Sequence, residues 1–381
     1  MITKNFKLDE YSRCKASILP GSARRTVTAA MLAVVLVSGL AGIAQERPVP
    51  KIYEAYPDPI QNRLQKRLAA LQQVKPSKLN DFRTQALVTL LSRWTTTGTT
   101  SVITVAFKGG DPVAHAGIAR AVSEWTNYGN VTFDFGYDPT TGTFRQWAPT
   151  NSRYNAEVRV SFDQKGYWSC VGNQSIDPSL TGPGEASLNL EGFDTNRPSQ
   201  WTNIVLHEFG HALGFEHEHQ NPAGGCETEF RWDDDPGYME THDQYGQFIP
   251  DINGKRPGIY TFLGGPLNNW SRDKIDFNLR SLPNSRAVPV GPFDKKSIME
   301  YHFDQWMYKN GTNSPCYSEE NLYLSPGDKA AVAYLFPWQQ QAMKQAHEDQ
   351  RSLLMEFLDS STAAVKAQGE LEQHLMRIQK E

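Results

Sequence analysis

The amino-acid sequence predicts an α+β protein, on three observations. Four short runs rich in β-branched and aromatic residues lie between residues 98 and 200, and such runs are typical of strands. A helix signal follows the first run, because Asp111 can cap a helix that begins at Pro112. Apolar residues recur at helical spacing from Trp201 to Leu213. The predicted order is therefore strand, helix, strand, strand, strand, helix.

The first 44 residues have the composition of a targeting segment. They hold six basic and two acidic residues, and the pair Arg24-Arg25 precedes an apolar run over 27–43. Small residues at Gly42 and Ala44 fit the cleavage site of a secretory signal peptide. The alternative is a retained membrane anchor, although a run of about 17 residues is at the lower limit for a span. We expect cleavage, no stable membrane span afterwards, and a secreted or periplasmic protein.

Residues 45–97 are predicted to form a helical N-terminal segment or a prosegment. Leu64, Leu68 and Leu71 lie at helical spacing, and a second apolar stripe runs over 78–94. A prosegment and an N-terminal brace are both compatible with this pattern. The main domain is predicted to span residues 98–337.

Composition and cysteine spacing limit the classes of function that the chain can have. Residues 45–381 carry 32 basic and 40 acidic residues, so this part of the chain has no electrostatic reason to bind nucleic acid. Cys170, Cys226 and Cys316 are widely spaced and form no C-x-x-C pair, which excludes a typical cysteine metal site. One disulfide and one free thiol fit an oxidising compartment, and the sequence leaves the pairing open.

Strands are expected at 102–107, 131–135, 157–162 and 186–190, and a turn at 166–172. Beyond residue 217 the chain is irregular, with a short capped helix near 269–276. Ser325 and Pro326 then open a helix that runs to Leu335. Residues 338–381 are glutamine-rich with a partial apolar stripe, and we expect a helical extension that either packs on the domain or binds a partner.

The residues His207 to His217 form the run H-E-x-x-H-x-x-G-x-x-H. His207 and His211 are four residues apart, so a helix places both imidazoles on one face. Gly214 can end that helix with a positive φ and return His217 as a third nitrogen ligand. Three histidines suit one Zn²⁺ ion and leave a fourth position for water, which is typical of a catalytic site. Glu208 lies beside the first ligand, where a general base can reach that water.

A second run, Ser297-Ile298-Met299-Glu300-Tyr301, follows about eighty residues later. Together the two runs resemble the metzincin clan of zinc proteases, which place a methionine turn under the metal. Within the clan the chain looks most like the astacin branch, where glutamate follows the third histidine and tyrosine follows the turn methionine.

The resemblance implies a fold and a set of roles. The fold is a metzincin-type zincin: a twisted mixed sheet and two long helices in an upper lobe, a zinc helix at the cleft, and an irregular lower lobe with a C-terminal helix. Met299 would form an apolar floor, and Tyr301 would ligate zinc at rest and donate to the oxyanion. Glu218 would bind a new N-terminus buried after cleavage near the start of the domain.

Three departures from the astacin pattern are visible. Glu300 stands where the family usually has histidine, and the run after Glu218 lacks the family's arginine and aspartate. No clear match to the family's pro-segment aspartate precedes the domain. Asp81 is a candidate for that latent zinc ligand, and an exposed helix face is the other interpretation.

The expected activity is that of a secreted zinc endopeptidase, with a zinc-bound water activated by Glu208 and a protein or peptide substrate. The alternative is a secreted zinc-binding adhesion or partner-binding module with a vestigial protease site. We also expect residues 186–190 to form an exposed sheet edge. Main-chain groups of Ser187, Leu188, Asn189 and Leu190 would then pair with an extended substrate.

Overall fold

Five strands form one mixed sheet in the part of the chain that the structure describes. That part, in this computed structural model, comprises residues 53–73, 92–94, 100–282 and 291–339. The leader at 1–44, Asp81 and the extension beyond residue 339 lie outside it. The strand order is β2-β1-β3-β5-β4, and β4 alone runs antiparallel to its neighbour. The strands are β1 (Ser101–Phe107), β2 (Val131–Asp134), β3 (Val158–Ser161), β4 (Tyr167–Ser169) and β5 (Leu188–Leu190).

The predicted exposed edge at 186–190 is wrong. β5 pairs with β3 on one side and with β4 on the other, and its residues are fully buried. The main chain of Ser187 is also used, since its N–H donates to Arg159 O at 2.9 Å and its carbonyl accepts from Cys170 N at 2.8 Å. The edge on this side of the sheet is β4, within the segment 166–172 that was expected to be a turn by resemblance to astacin-like enzymes. Ser187 to Leu190 therefore have no main-chain groups free for a substrate strand.

The helices agree closely with the sequence signals. Asp111 Oδ1 accepts a hydrogen bond from Ala114 N at 2.7 Å, and Ser325 Oγ accepts one from Asp328 N at 3.0 Å, so both predicted N-caps are confirmed. The helices are α1 (Asp58–Gln73), α2 (Pro112–Val122), α3 (Trp201–Leu213), α4 (Cys226–Glu229), α5 (Ile259–Gly264), α6 (Arg272–Leu279) and α7 (Pro326–Leu335). None of these helices is long and apolar enough to cross a bilayer. The predicted α+β class is confirmed.

Two hydrophobic clusters lie in the main domain, one around the sheet and one in the irregular part of the chain after α3. The first joins the sheet to α2, α3 and α7, with Phe107, Val205 and Val332 fully buried. The second gathers the irregular chain around α4, α5 and α6. A disulfide between Cys226 and Cys316 crosses the second cluster, with Cα atoms 5.6 Å apart. This settles the open pairing and leaves Cys170 as a buried thiol, whose pKa burial raises to about 11.

Residues 53–73, called the N-terminal segment below, lie on the main domain. Ile60 and Leu64 of α1 are buried in a third cluster that includes Trp168 of the edge strand. Two ion pairs add to this contact, Arg63 to Glu185 at 2.9 Å and Arg67 to Asp177 at 2.7 Å. The predicted helix over 60–74 is confirmed as α1, and its position brings the residues that precede it to the cleft.

Candidate active site

Helix α3 presents two histidines on one face, as their spacing predicts. The ring centroids of His207 and His211 are 4.9 Å apart. The helix ends at Gly214, whose φ of 112° lies in the left-handed region that glycine tolerates. The chain turns there and returns His217, so that the Nε2 atoms of His211 and His217 lie 3.2 Å apart. The structure thus brings the three predicted ligands together.

Backbone carbonyls orient two of these rings. The Nδ1–H of His207 donates to Ile298 O at 2.7 Å, and that of His211 donates to Phe215 O at 2.7 Å. Because a carbonyl can only accept, the Nδ1 of each ring carries a proton, and the Nε2 of each ring faces the centre. Burial lowers the pKa of His217 to about 4. Burial also lowers the pKa of His211, but the Glu54 carboxylate raises it by more.

Glu54 of the N-terminal segment occupies the centre of the three histidines. Its Oε2 lies 3.0 Å from Nε2 of both His207 and His217, and its Oε1 lies 3.3 Å from Nε2 of His211. Burial raises the pKa of Glu54, but the three neighbouring histidines lower it by more. The pKa of Glu54 therefore lies well below its usual value. The carboxylate is therefore ionised. Sequence analysis missed this residue, because a lone glutamate before Tyr56-Pro57 carries no motif.

The donor set fits one zinc ion. The four ligand atoms of Glu54, His207, His211 and His217 lie within 4.8 Å of one another, a spacing that one ion with bonds of about 2.0–2.2 Å can bridge. Three imidazole nitrogens and one carboxylate are ligands that zinc accepts. In this arrangement Glu54 takes the fourth position, the one a catalytic site keeps for water.

Glu208 points into the same buried space without joining the four ligands. It is 2% exposed, and its Oε2 has no hydrogen-bond partner among the described residues. Burial and the neighbouring Glu54 carboxylate raise the pKa of Glu208 well above its usual value. A carboxyl group that can take up a proton beside the ligands is what a general base requires.

Met299 lies under the zinc helix, where the sequence placed it. A Cβ at Gly210 would come within 2.4 Å of Met299 Sδ, so the contact requires glycine at this point of α3. Asp328 fixes the turn, since its carboxylate accepts from Ser297 Oγ at 2.6 Å and from Ile298 N at 2.8 Å. The first turn of α7 thereby holds the methionine turn against α3.

Tyr301 lies beside the ligands and contacts the N-terminal segment. Its ring centroid is 5.8 Å from that of His217, and its hydroxyl accepts a hydrogen bond from Glu54 N at 2.8 Å. In this form the hydroxyl positions the main chain of the residue that fills the centre. Removal of the segment would leave the hydroxyl facing the cleft.

Glu218 and Glu300 are two acidic residues of the metal motifs, the first half-buried and the second buried. Glu218 Oε1 accepts from Asn221 Nδ2 at 2.8 Å and from Asp294 N at 2.9 Å, and burial raises its pKa to about 7. It borders a cavity of about 730 Å³ that Arg93 also lines. Glu300, the departure from the family pattern, is 4% exposed, and neither carboxylate oxygen has a partner among the described residues.

No family model and no curated protein matches this chain. Among solved structures, one of myroilysin matches with 28% identity over 65% of this chain and 96% of that chain, at a TM-score of 0.46. A crystal structure of myroilysin matches with 25% identity over 65% and 86%, at 0.38. High choriolytic enzyme 1, a hatching enzyme zinc-protease from the medaka fish Oryzias latipes, matches with 17% identity over 64% and 92%, at 0.35.

The sequence motifs and the geometry of the site agree with each other. The extended histidine run folds into three convergent nitrogens, and the methionine of the second run packs beneath them. In these features the chain is similar to the astacin-like metzincin zinc proteases.

Proposed function

We propose that this chain is the precursor of a secreted zinc endopeptidase. The observation that carries the proposal is the convergence of His207, His211 and His217 next to the buried carboxyl group of Glu208, whose Oε2 has no hydrogen-bond partner among the described residues. A module that only binds zinc has no use for a free carboxyl group in that place. The basic and apolar composition of residues 1–44 supports secretion.

Each residue of the site has a separate role in the proposed reaction. A zinc ion held by the three histidines would polarise the scissile carbonyl and make a water more acidic. Glu208 takes the proton from the attacking water and passes it to the leaving amine. Tyr301 donates a hydrogen bond to the oxygen on which negative charge develops. Burial of Glu208 keeps bulk water away from the proton that it carries.

We further propose that residues 45–97 act as a prosegment and residues 98–337 as the catalytic domain. Glu54 occupies the position that a catalytic water needs, and Tyr301 holds its main chain there. A substrate carbonyl and Glu54 cannot occupy this position together. The described form is therefore latent, and cleavage between α1 and the domain would release it. Glu54, rather than Asp81, is then the acidic residue that blocks the zinc site in the latent form.

The test uses the secreted protein itself. N-terminal sequencing would establish where the leader and the prosegment are cut, and casein hydrolysis would then be measured with and without a chelator. We expect a mature N-terminus beyond residue 73 and hydrolysis that a chelator abolishes and one equivalent of Zn²⁺ restores. Chelator-insensitive hydrolysis, or none from the processed protein, would favour the binding module.

A further inference from the structure

Next to Glu54, the side chain of Tyr53 fills a pocket in the second hydrophobic cluster. Tyr53 is 4% exposed. Its ring stacks on Tyr301 and Phe303, with centroids 5.7 Å from each, and meets the edge of Phe262 at 6.0 Å. Tyr301 and Phe303 lie side by side, with centroids 5.1 Å apart, and form one aromatic wall. With the edge of Phe262 they make a slot for one aromatic ring.

The bottom of this pocket is polar. The hydroxyl of Tyr53 lies 3.2 Å from Met307 Sδ and 3.4 Å from Asp304 Oδ2. Both atoms accept hydrogen bonds, and the carboxylate is the stronger acceptor. A phenol fits both parts of the slot, because its ring packs against the aromatic side chains and its hydroxyl reaches the two acceptors. Phenylalanine would fill the walls and leave the acceptors without a donor.

The pocket lies one residue from the catalytic centre. Glu54 follows Tyr53 directly, and its carboxylate is in contact with all three histidines. Tyr301 joins the two sites, since its hydroxyl binds Glu54 N and its ring forms part of the wall of the slot. A peptide whose scissile bond lies at the histidines therefore brings a neighbouring side chain to this slot once the N-terminal segment has left.

We propose that this slot, lined by Phe262, Tyr301, Phe303, Asp304 and Met307, is a specificity pocket for a tyrosine that flanks the scissile bond. The proposal rests on the proposed function and names its substrate class: proteins with accessible tyrosines. Tyr53 of the N-terminal segment then acts as a built-in occupant that blocks the pocket while Glu54 blocks the metal ligands.

The experiment uses the full chain carrying Tyr53→Ala and Glu54→Ala, which removes both side chains from the cleft. Zinc-loaded protein would be assayed on peptides that differ only in having Tyr, Phe, Arg or Ala at either position that flanks the cut. We expect kcat/KM for the tyrosine peptide to exceed that for the alanine peptide by about 100-fold and that for the phenylalanine peptide by about tenfold, at one of the two positions.

A second variant separates the polar end of the pocket from its walls. Asp304 is partly exposed and caps no helix with its side chain, so Asp304→Ala is compatible with folding. Added to the same background, it should remove the preference for tyrosine over phenylalanine and keep the preference for phenylalanine over alanine. Met307→Leu provides a volume-matched check at the second acceptor.

Three outcomes would count against the pocket. Equal rates for tyrosine and alanine peptides would overturn it, and so would a preference for arginine, or a tyrosine preference that Asp304→Ala leaves intact. Absence of chelator-sensitive hydrolysis for every peptide is a different result. It would reject the proposed function itself, and with it the substrate that the pocket is proposed to select.

Discussion

The substitution Glu54→Ala tests whether the N-terminal segment keeps the site inactive. The carboxylate has contacts of 3.0, 3.0 and 3.3 Å with the three histidines and is 9% exposed. Removal of one partner from a buried charged cluster costs about 3–5 kcal/mol. Each 1.4 kcal/mol is a factor of ten in an equilibrium constant, so release of the segment from the centre should become at least about 10² times more favourable.

The other anchors of the segment remain in this variant. Ile60 and Leu64 stay buried, and the ion pairs of Arg63 and Arg67 are partly exposed, worth at most about 1 kcal/mol each. We therefore expect α1 to stay attached while the centre becomes accessible.

The assay for this variant is hydrolysis of a quenched fluorescent peptide by uncleaved, zinc-loaded full chain, with chain integrity followed by mass spectrometry. Activity should rise by at least about 10²-fold relative to the uncleaved wild type. Glu54→Gln is the matched control: it preserves shape without charge, and its activity should be intermediate. If uncleaved Glu54→Ala is as inactive as the uncleaved wild type while the cleaved wild type is active, Glu54 is not the inhibitory ligand.

Three further predictions concern the support of the site. Replacement of Cys226 and Cys316 by serine opens a loop of 90 residues and should lower the free energy of unfolding by about 2–5 kcal/mol in denaturant titrations; an unchanged midpoint would contradict this. Gly210→Ala introduces a Cβ within 2.4 Å of Met299 Sδ and should destabilise the fold by about 1–3 kcal/mol, with weaker zinc retention in dialysis; Met299→Ala in the same chain should relieve it. Tyr301→Phe should lower kcat about 10²-fold at unchanged zinc content, and a loss confined to KM would exclude an oxyanion role.

The motifs and caps could be predicted because local chemistry determines them. The spacing of His207 and His211, the glycine at 214 and the capping residues Asp111 and Ser325 act within a few residues of chain. Each of them is in the predicted place. By resemblance Met299 was expected to form an apolar floor under the histidines, and its side chain packs against Gly210 of the helix that carries two of them.

The edge of the sheet and the identity of the latent ligand depend on long-range contacts. β4 is too short for its alternation to be recognised, and its pairing with β5 decides which strand is exposed. Glu54 reaches the histidines across more than 150 residues of sequence, because α1 packs on the third cluster. No pattern within the first 97 residues indicates that contact, and the sequence offered Asp81 only as one acidic candidate beside the interpretation of an exposed helix face.

Glu208 is proposed to perform the proton transfer of a zinc-dependent hydrolysis. This role is tested by comparing processed wild type with processed Glu208→Gln, with zinc content and casein hydrolysis determined on the same samples. We expect one zinc per chain in both proteins and a fall in kcat of about 10²–10⁴-fold in the variant. Glu208→Gln protein that retains its zinc and hydrolyses casein at the wild-type rate would contradict it.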